Sequence, residues 1–321
     1  MQLSLFDDKN MLLNMGTSAL ITLDLDEAEK NFRLYKKRYR GYGEVDEKLS
    51  ITDFLRKGVE GVSSSSADEP LHLYRMWLSF EKYVKAEGFE TSDLIGKIKK
   101  SFFALIVETI DRWGIPDKAF LCGDVPVGRL FIEAGLHDRA VNSLQTALLA
   151  SPDKAAMLYG YLGDAYAAQG DLAVARKCYF EACLAAPQML DWQQIRDGAL
   201  AALKKALEKN HGMTASVAAE WVASYACIEG IFQPKTIRLK DELKPFVDSY
   251  LALERAYKKR GNAVIKPRLF IRAIILCDNE EMLKRVKGVD FIKARTRMKE
   301  LDPPLFNRYM HSIRSRQTEH K

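Results

Sequence analysis

The sequence predicts an all-α protein, and three observations support that fold class. Only 10 prolines and 19 glycines interrupt the 321 residues, which leaves long stretches available for helices. Apolar residues recur three and four positions apart along most of the chain, as on the buried face of a helix. No stretch of the sequence sustains the alternation typical of a strand, and the nearest candidate is the segment 119–122.

Helix boundaries follow from capping residues and helix breakers. Thr214 is a typical N-cap residue, and the pair Pro303-Pro304 ends the helix that precedes it. The serine run 63–66 indicates a surface loop. Outside the repeated segments considered next, the apolar spacing predicts helices at 51–59, 70–86, 91–113, 191–209, 214–229, 240–260, 266–277, 290–301 and 305–314.

One segment carries the spacing W-x2-L-G-x2-Y, followed by small and aromatic positions and a proline. Tyrosine stands in place of tryptophan, and the matching positions are Tyr159, Leu162, Gly163, Tyr166, Ala175, Tyr179, Ala182 and Pro187. This segment resembles the tetratricopeptide repeat, a helical hairpin of 34 residues. Gly163 permits close approach of the two helices, and Gly170 permits the left-handed turn between them. Pro187 ends the second helix.

Two more segments repeat this pattern less completely. The copy that lies 35 residues earlier contains Gly128, Phe131, Gly135, Ala140, Leu144, Ala147 and Pro152. A weaker N-terminal copy contains Gly16, Ala28, Phe32 and Tyr35. In that copy Leu23 replaces the turn glycine, while Asp24 and Asp26 can cap the second helix. The expected fold is an α-solenoid, or a bundle like one, of tetratricopeptide-like helical hairpins with irregular flanking helices.

The repeats also suggest how the chain is organised. We expect a helical region at 1–115 with one degenerate hairpin, two tetratricopeptide-like repeats at 116–189, and a C-terminal helical region at 190–321. The resemblance implies a non-catalytic scaffold that binds a protein or peptide partner on a concave face. Judged by their positions around the first helix of each hairpin, the residues exposed in the groove would be Arg129, Tyr161, Asp164 and Ala168.

The distribution of charge and the cysteine content indicate which partners and which cellular compartment to expect. The formal net charge is +6, and the segment 282–321 carries eleven Lys or Arg against four Asp or Glu. Such a segment can attract nucleic acid, an acidic protein or a membrane surface, or it can be a solvated helical face. The five cysteines form no CxxC pair, which predicts free buried thiols in a reducing cytoplasm. The apolar stretch 11–23 is too short to span a bilayer, so we expect a soluble cytoplasmic protein with no membrane partner.

The sequence shows no recognisable catalytic arrangement. Its five histidines are scattered singly, and none stands at metal-ligand spacing from another histidine, a cysteine or a carboxylate. His137 and His211 occur beside glycines at expected turns, where a polar residue is structural. There is no phosphate-binding glycine loop and no serine elbow. We therefore predict no enzyme activity, no catalytic residue, no metal and no cofactor.

The N-terminal pentapeptide is the most specific short motif. Residues Gln2, Leu3, Ser4, Leu5 and Phe6 match the motif by which many bacterial replication and repair proteins bind the DNA sliding clamp. The resemblance implies an extended peptide whose apolar side chains enter a pocket of the clamp, while Gln2 makes polar contacts. An accessible terminus ahead of the first helix suits that role. The alternative is that the apolar residues cap the end of the solenoid.

A second cluster interleaves basic residues with tyrosines. It contains Lys36, Lys37, Arg38 and Arg40, and such a cluster could contact phosphates and stack on bases. The structural alternative is that Tyr35 belongs to the hairpin packing and that the cations favour the C-terminal end of a helix dipole. Together with the pentapeptide, this cluster suggests a DNA-associated accessory factor tethered to the sliding clamp as the rival to a scaffold.

Overall fold

The structure is a computed structural model of the 321-residue chain. It describes residues 3–39, 45–62, 66–89, 93–123, 125–233, 240–260, 264–284, 286 and 288–319, and their side chains except at 3–7, 240–243, 260 and 315–319. The described residues form sixteen α-helices and one two-stranded sheet, which confirms the prediction of an all-α protein. Contacts divide the chain into two compact units, Met1–Ala150 and Ser151–Lys321. No helix among the described residues is long and apolar enough to cross a membrane.

The first unit consists of helices and a small sheet. Its helices are α1 (Leu3–Ile21), α2 (Leu25–Arg38), α3 (Asp46–Glu60), α4 (Glu69–Glu87), α5 (Asp93–Arg112), α6 (Val127–Ala134) and α7 (His137–Ala150). Strand β1 (Phe120–Cys122) pairs antiparallel with β2 (Val125–Pro126). The strand candidate 119–122 therefore overlaps β1, which is too short to show an alternating pattern.

Aromatic side chains form the core of the first unit between α4 and α5. The ring centroid of Trp77 lies 5.1 Å from that of Phe80, 5.2 Å from Phe102 and 5.6 Å from Phe103. The indole N–H of Trp77 donates to Glu81 over 2.7 Å, so the buried ring leaves no unsatisfied donor. The apolar stripes of the two helices are thus joined through large rings.

The second unit is helical throughout its described part. Its helices are α8 (Ala155–Ala168), α9 (Leu172–Ala185), α10 (Gly198–Asn210), α11 (Ala215–Ile228), α12 (Lys240–Arg260), α13 (Ile265–Asp278), α14 (Glu280–Leu283), α15 (Phe291–Leu301) and α16 (Pro303–Glu319). Helix α13 is the centre of this unit because α11, α12 and α15 pack against it. Nine of its fourteen residues are buried, as expected of a helix that is covered on several sides.

Three helical pairs share one register of close approach. A Cβ added to the glycine of the first helix would lie 2.5–2.6 Å from a side chain sixteen residues later. These glycines and their neighbours are Gly16 with Phe32, Gly128 with Leu144, and Gly163 with Tyr179. Twelve residues after each glycine stands a fully buried alanine: Ala28, Ala140 and Ala175. The spacing predicted from the sequence therefore places equivalent residues at equivalent contacts in α1–α2, α6–α7 and α8–α9.

The turns of these pairs follow the expected chemistry. Gly135 and Gly170 have φ values of 81° and 86°, in the left-handed region that glycine adopts readily. Leu23 has φ 63° at the corresponding turn of α1–α2 and is the one described non-glycine residue with a positive φ. Asp24 and Asp171 each accept a backbone N–H over 3.1 Å at the start of the second helix. The second helices of α1–α2 and α8–α9 are thus capped in the same way.

The start of α10 differs from the sequence prediction. A helix was expected over 191–209, but α10 begins at Gly198, and the segment before it is a series of turns. The Asp197 carboxylate accepts the backbone N–H of Ala199 and of Leu200, which fixes the helix start there. The indole of Trp192 donates to the Pro187 carbonyl over 2.8 Å. Apolar residues at helical spacing in this segment therefore belong to a turn that packs on α9.

Candidate functional site

The groove positions expected on α8 are buried. Tyr161 is 9% exposed and Asp164 is 6% exposed, so the prediction that these two side chains lie open for a partner is wrong. The turns that precede α10 cover this face, because Leu190 and Ile195 lie against Tyr161 and Asp164. Ala168 is half-buried at the end of α8. Helical facing alone did not reveal that a later segment covers the helix.

Asp164 joins three segments of the second unit. Its Oδ1 accepts the hydroxyl of Tyr179 over 2.5 Å and the backbone N–H of Arg196 over 3.1 Å. Burial raises the pKa of the Asp164 carboxyl from 3.8 to about 7, against the opposing effect of these two hydrogen bonds. Next to it, Arg176 donates to Asp197 over 2.7 Å. These contacts hold the segment before α10 on the α8–α9 pair, which is a structural role.

Arg129 follows Gly128 on α6 and is half-buried. The sequence predicted that Arg129 faces a groove, and its partial exposure leaves that prediction open. The neighbouring cation Arg139 on α7 is bound by two carboxylates, since it donates to Asp111 and to Asp117 over 2.6–3.0 Å. Its guanidinium also lies 4.1 Å from the ring centroid of Phe131. Arg139 therefore holds the α6–α7 pair to the end of α5 and to the segment that follows it.

The basic cluster at the end of α2 is partly neutralised. Lys36 pairs with Asp46 over 2.7 Å, and Arg38 pairs with Asp8 over 2.7 Å. Lys37 is exposed in the last turn of α2, where a cation also favours the helix dipole. Arg40 lies outside the described residues. Since two of the three described cations have carboxylate partners, the cluster offers a phosphate fewer free charges than the sequence suggested.

The pentapeptide lies mostly inside the first helix. Helix α1 begins at Leu3, so the backbone of residues 3–6 is helical, whereas the sequence predicted an extended segment ahead of the first helix. Gln2 lies outside the described residues, as do the side chains of Leu3, Ser4, Leu5 and Phe6. An extended bound form would require the first turn of α1 to unwind.

The basic residues of the C-terminal segment also have acidic partners. Arg295 pairs with Glu280 over 2.7 Å, and Arg308 pairs with Glu229 over 2.9 Å. Arg297 donates to Glu254 over 2.7 Å and contacts Glu300. Three of the positive charges of this segment are thus compensated by carboxylates that lie earlier in the chain, which sequence counting within 282–321 missed.

Thiols and possible metal ligands give no site in the described part of the chain. Four of the five cysteines are buried, Cys122 is half-buried, and all are free. Burial raises the pKa of Cys178 to about 11 and that of Cys277 to about 12, so these thiols stay protonated and unreactive at neutral pH. No group of three or more His, Cys, Asp or Glu side chains there is arranged to hold a metal ion. The absence of enzyme activity remains a prediction.

A cleft that sequence reasoning did not identify lies in the second unit between α12 and α15. Its volume is about 730 Å³, within the range of protein ligand sites. Tyr250 and Leu251 of α12 line it, and Lys293 and Arg297 of α15 line the opposite side. The sequence carried one signal for it, the spacing of Asp248, Leu251 and Arg255, which places two opposite charges and an apolar residue on one helix face.

Comparisons of the chain with models of protein families, with curated proteins and with solved structures found no match. The contacts described above are therefore the basis for a functional proposal.

Proposed function

We propose that the chain is a non-catalytic helical-repeat scaffold of the tetratricopeptide-like kind, which binds a protein or peptide partner in the cytoplasm. One observation carries the proposal: three helical hairpins place glycine, alanine and a large side chain at the same offsets and the same contacts. Repeated hairpins of this kind form extended surfaces on which partners bind. The expected groove must lie away from Tyr161 and Asp164, since both are buried.

Capture followed by reconstitution tests the scaffold. The tagged full chain is used to capture proteins from extracts of its source cells, and each captured protein is then purified and titrated against the chain by calorimetry. Saturable binding supports the proposal, and failure of every captured protein to bind in the purified system contradicts it. Gly163→Leu, which disrupts the α8–α9 contact, should abolish binding if that hairpin contributes, while Gly160→Ala in the same helix should not.

A second function is favoured by one specific observation, the match of residues 2–6 to the clamp-binding pentapeptide. In this alternative the chain is a DNA-associated accessory factor tethered to a bacterial sliding clamp. Its remaining basic surface would contact nucleic acid, with Lys37 as the described cation of the α2 cluster that has no acidic partner among described residues.

The helical start of α1 sharpens the test of this alternative. A fluorescent peptide of residues 1–10 and the full chain are titrated separately against a purified bacterial sliding clamp. The peptide should bind with micromolar affinity, and the full chain should bind more weakly because its first turn must unwind. Leu5→Ala together with Phe6→Ala serves as the control. Absence of binding by the peptide, or equal binding by the control, contradicts clamp tethering.

A further inference from the structure

The cleft between α12 and α15 is formed by two helices that share one support. Both helices pack on α13. Tyr250, which is 5% exposed, and Leu251 form its apolar part. Gly288 lies beside Leu251, since a Cβ added to this glycine would be in ordinary van der Waals contact with the Leu251 Cδ1, at 3.6 Å. Polar residues form the rim. The cleft is thus concave with a small apolar floor and a charged rim, which suits a polar peptide better than an apolar small molecule.

Most charges in this cleft are already paired. Arg297 donates to Glu254 over 2.7 Å, contacts Glu300, and lies 5.2 Å from the ring centroid of Tyr257. Lys258 lies 3.7 Å from Glu254. On the opposite side, Lys293 pairs with Asp290 over 3.3 Å. The Arg297–Glu254 pair joins α15 to α12, and the pairs together leave little net charge for a ligand.

Two charges in the cleft have no ion-pair partner among the described residues. They are the carboxylate of Asp248 and the guanidinium of Arg255, and both side chains are exposed. The Nε of Arg255 donates only to the carbonyl of Leu251 in its own helix, over 3.3 Å. Seven residues separate the two charges, which is two helical turns or about 10.5 Å along one face. Leu251 lies between them on that face.

We propose that this cleft binds an extended segment of a protein partner that carries one basic and one acidic side chain on the same face. This inference rests on the proposed scaffold function and gives it a site. The basic side chain pairs with Asp248, the acidic one with Arg255, and an apolar residue between them contacts Leu251. In an extended chain, side chains four residues apart share a face and are about 13 Å apart, and the side chain midway between them lies on that face too. Flexible charged side chains bridge the difference from the spacing on α12.

A change of charge specificity tests the site directly. Three fluorescein-labelled peptides differ only in the two charged residues of a central segment, Lys-Ser-Leu-Ser-Glu, Lys-Ser-Leu-Ser-Lys or Glu-Ser-Leu-Ser-Glu, and are titrated against the full chain at about 0.15 M salt. The unchanged chain should prefer the mixed peptide by about tenfold, since each like-charged peptide replaces an attraction by a repulsion. Arg255→Glu should instead favour the peptide with two lysines, and Asp248→Lys should favour the peptide with two glutamates.

Lys259→Glu is the matched control, because Lys259 is exposed on α12 and does not line the cleft. It changes the net charge as much as Arg255→Glu does and should leave the order of the three peptides unchanged. The same order in all four proteins overturns the proposal, and so does the absence of saturable binding by the unchanged chain. Stronger binding of a single-stranded oligonucleotide than of any peptide also overturns it.

The captured partner separates this proposal from the scaffold function itself. If Arg255→Glu and Asp248→Lys both weaken binding of a reconstituted partner while Lys259→Glu does not, the cleft is the site. If a partner binds all these variants equally, the scaffold function stands and the assignment of the cleft is refuted. If no partner is found but the peptides change their order as expected, the cleft is a peptide site and the scaffold lacks support.

Discussion

The hairpins α8–α9 and α1–α2 have the same register but are held together differently. In α8–α9, Gly163 lies against the ring of Tyr179, whose hydroxyl donates to Asp164. In α1–α2, Gly16 lies against Phe32, and the residue that corresponds to Asp164 is Thr17. The first contact is therefore apolar with a buried hydrogen bond, and the second is apolar only.

This difference shows that close helix packing needs the small residue more than it needs any one partner. A ring or an aliphatic side chain fills the space opposite the glycine in all three hairpins. The hydrogen bond in α8–α9 adds specificity, because a buried polar group is stable only when it is paired. It also adds a carboxyl group at a position where α1–α2 has Thr17 and α6–α7 has Arg129.

The largest expected effect concerns that carboxyl group. The pKa of Asp164 is about 7 in the folded chain and 3.8 when exposed, so the folded state binds its proton more tightly. The stability from this group is therefore complete below pH 4 and is lost as the pH rises to 7. The shift corresponds to up to about 4 kcal/mol. Asp164→Asn keeps an acceptor for Tyr179 without the charge, and it should raise stability at pH 8 by up to that amount.

Urea unfolding of the full chain at pH 5 and pH 8 measures this effect. The gain from Asp164→Asn should be larger at pH 8, because the parent carboxylate is charged there and buried. Thr17→Asn, the same residue placed at the corresponding position of α1–α2, should show no difference between the two pH values. An Asp164→Asn variant that is equally destabilised at both pH values would mean that the carboxylate is needed in its charged form.

The second effect concerns the glycines. Gly163→Ala places a Cβ 2.6 Å from the Tyr179 ring, which is fully buried and fixed by its hydroxyl. Overpacking should cost about 1–3 kcal/mol and exceed the gain of roughly 1 kcal/mol in helix propensity. Gly160→Ala lies one turn earlier and meets only Leu190 at 3.5 Å, so it should be neutral or stabilising. Gly16→Ala should cost less than Gly163→Ala, because no hydrogen bond fixes Phe32.

Unfolding midpoints of these three variants in urea give the ranking. Equal stabilisation by Gly163→Ala and Gly160→Ala would show that the Tyr179 ring moves aside freely and that the close approach is not required. Amide hydrogen exchange measures the local effect, since a displaced Tyr179 ring should raise the exchange rates in α9 more than in the rest of the unit.

These contacts also show which parts of the molecule the sequence could predict. The offsets of Gly163, Ala175 and Tyr179 are local and repeat within the chain, so they could be recognised without a structure. The burial of Asp164 depends on the turns before α10, and the apolar spacing there was indistinguishable from that of a helix. The N-cap residue Asp197 followed by Gly198 was the available signal.

The cleft was less predictable for a different reason. The charges left for a ligand depend on which neighbouring charges are already paired. Arg297, for example, pairs with Glu254, which is 43 residues earlier in the sequence. Long-range ion pairs leave no periodic signal, so the charge count of the C-terminal segment was misleading. The same holds for Arg38 and Asp8, which are thirty residues apart and neutralise part of the α2 cluster.

The smallest effect concerns the two turns, where the residue with a positive φ in one hairpin can be replaced by the residue that the other hairpin has there. Gly170→Leu forces a side chain into the left-handed region and should cost about 1–2 kcal/mol, a purely backbone cost because no atom lies within 4 Å of the added Cβ. Leu23→Gly removes the same backbone strain but raises the conformational entropy of the unfolded chain. It should therefore stabilise the folded state by at most about 1 kcal/mol. Hydrogen exchange at two equivalent backbone amides measures the effects of both substitutions. The Ala28 and Ala175 N–H groups donate to the carbonyls of Asp24 and Asp171 over 3.0 Å. If Leu23→Gly instead speeds exchange at Ala28, the Leu23 side chain stabilises the α1–α2 turn by more than its backbone strain costs.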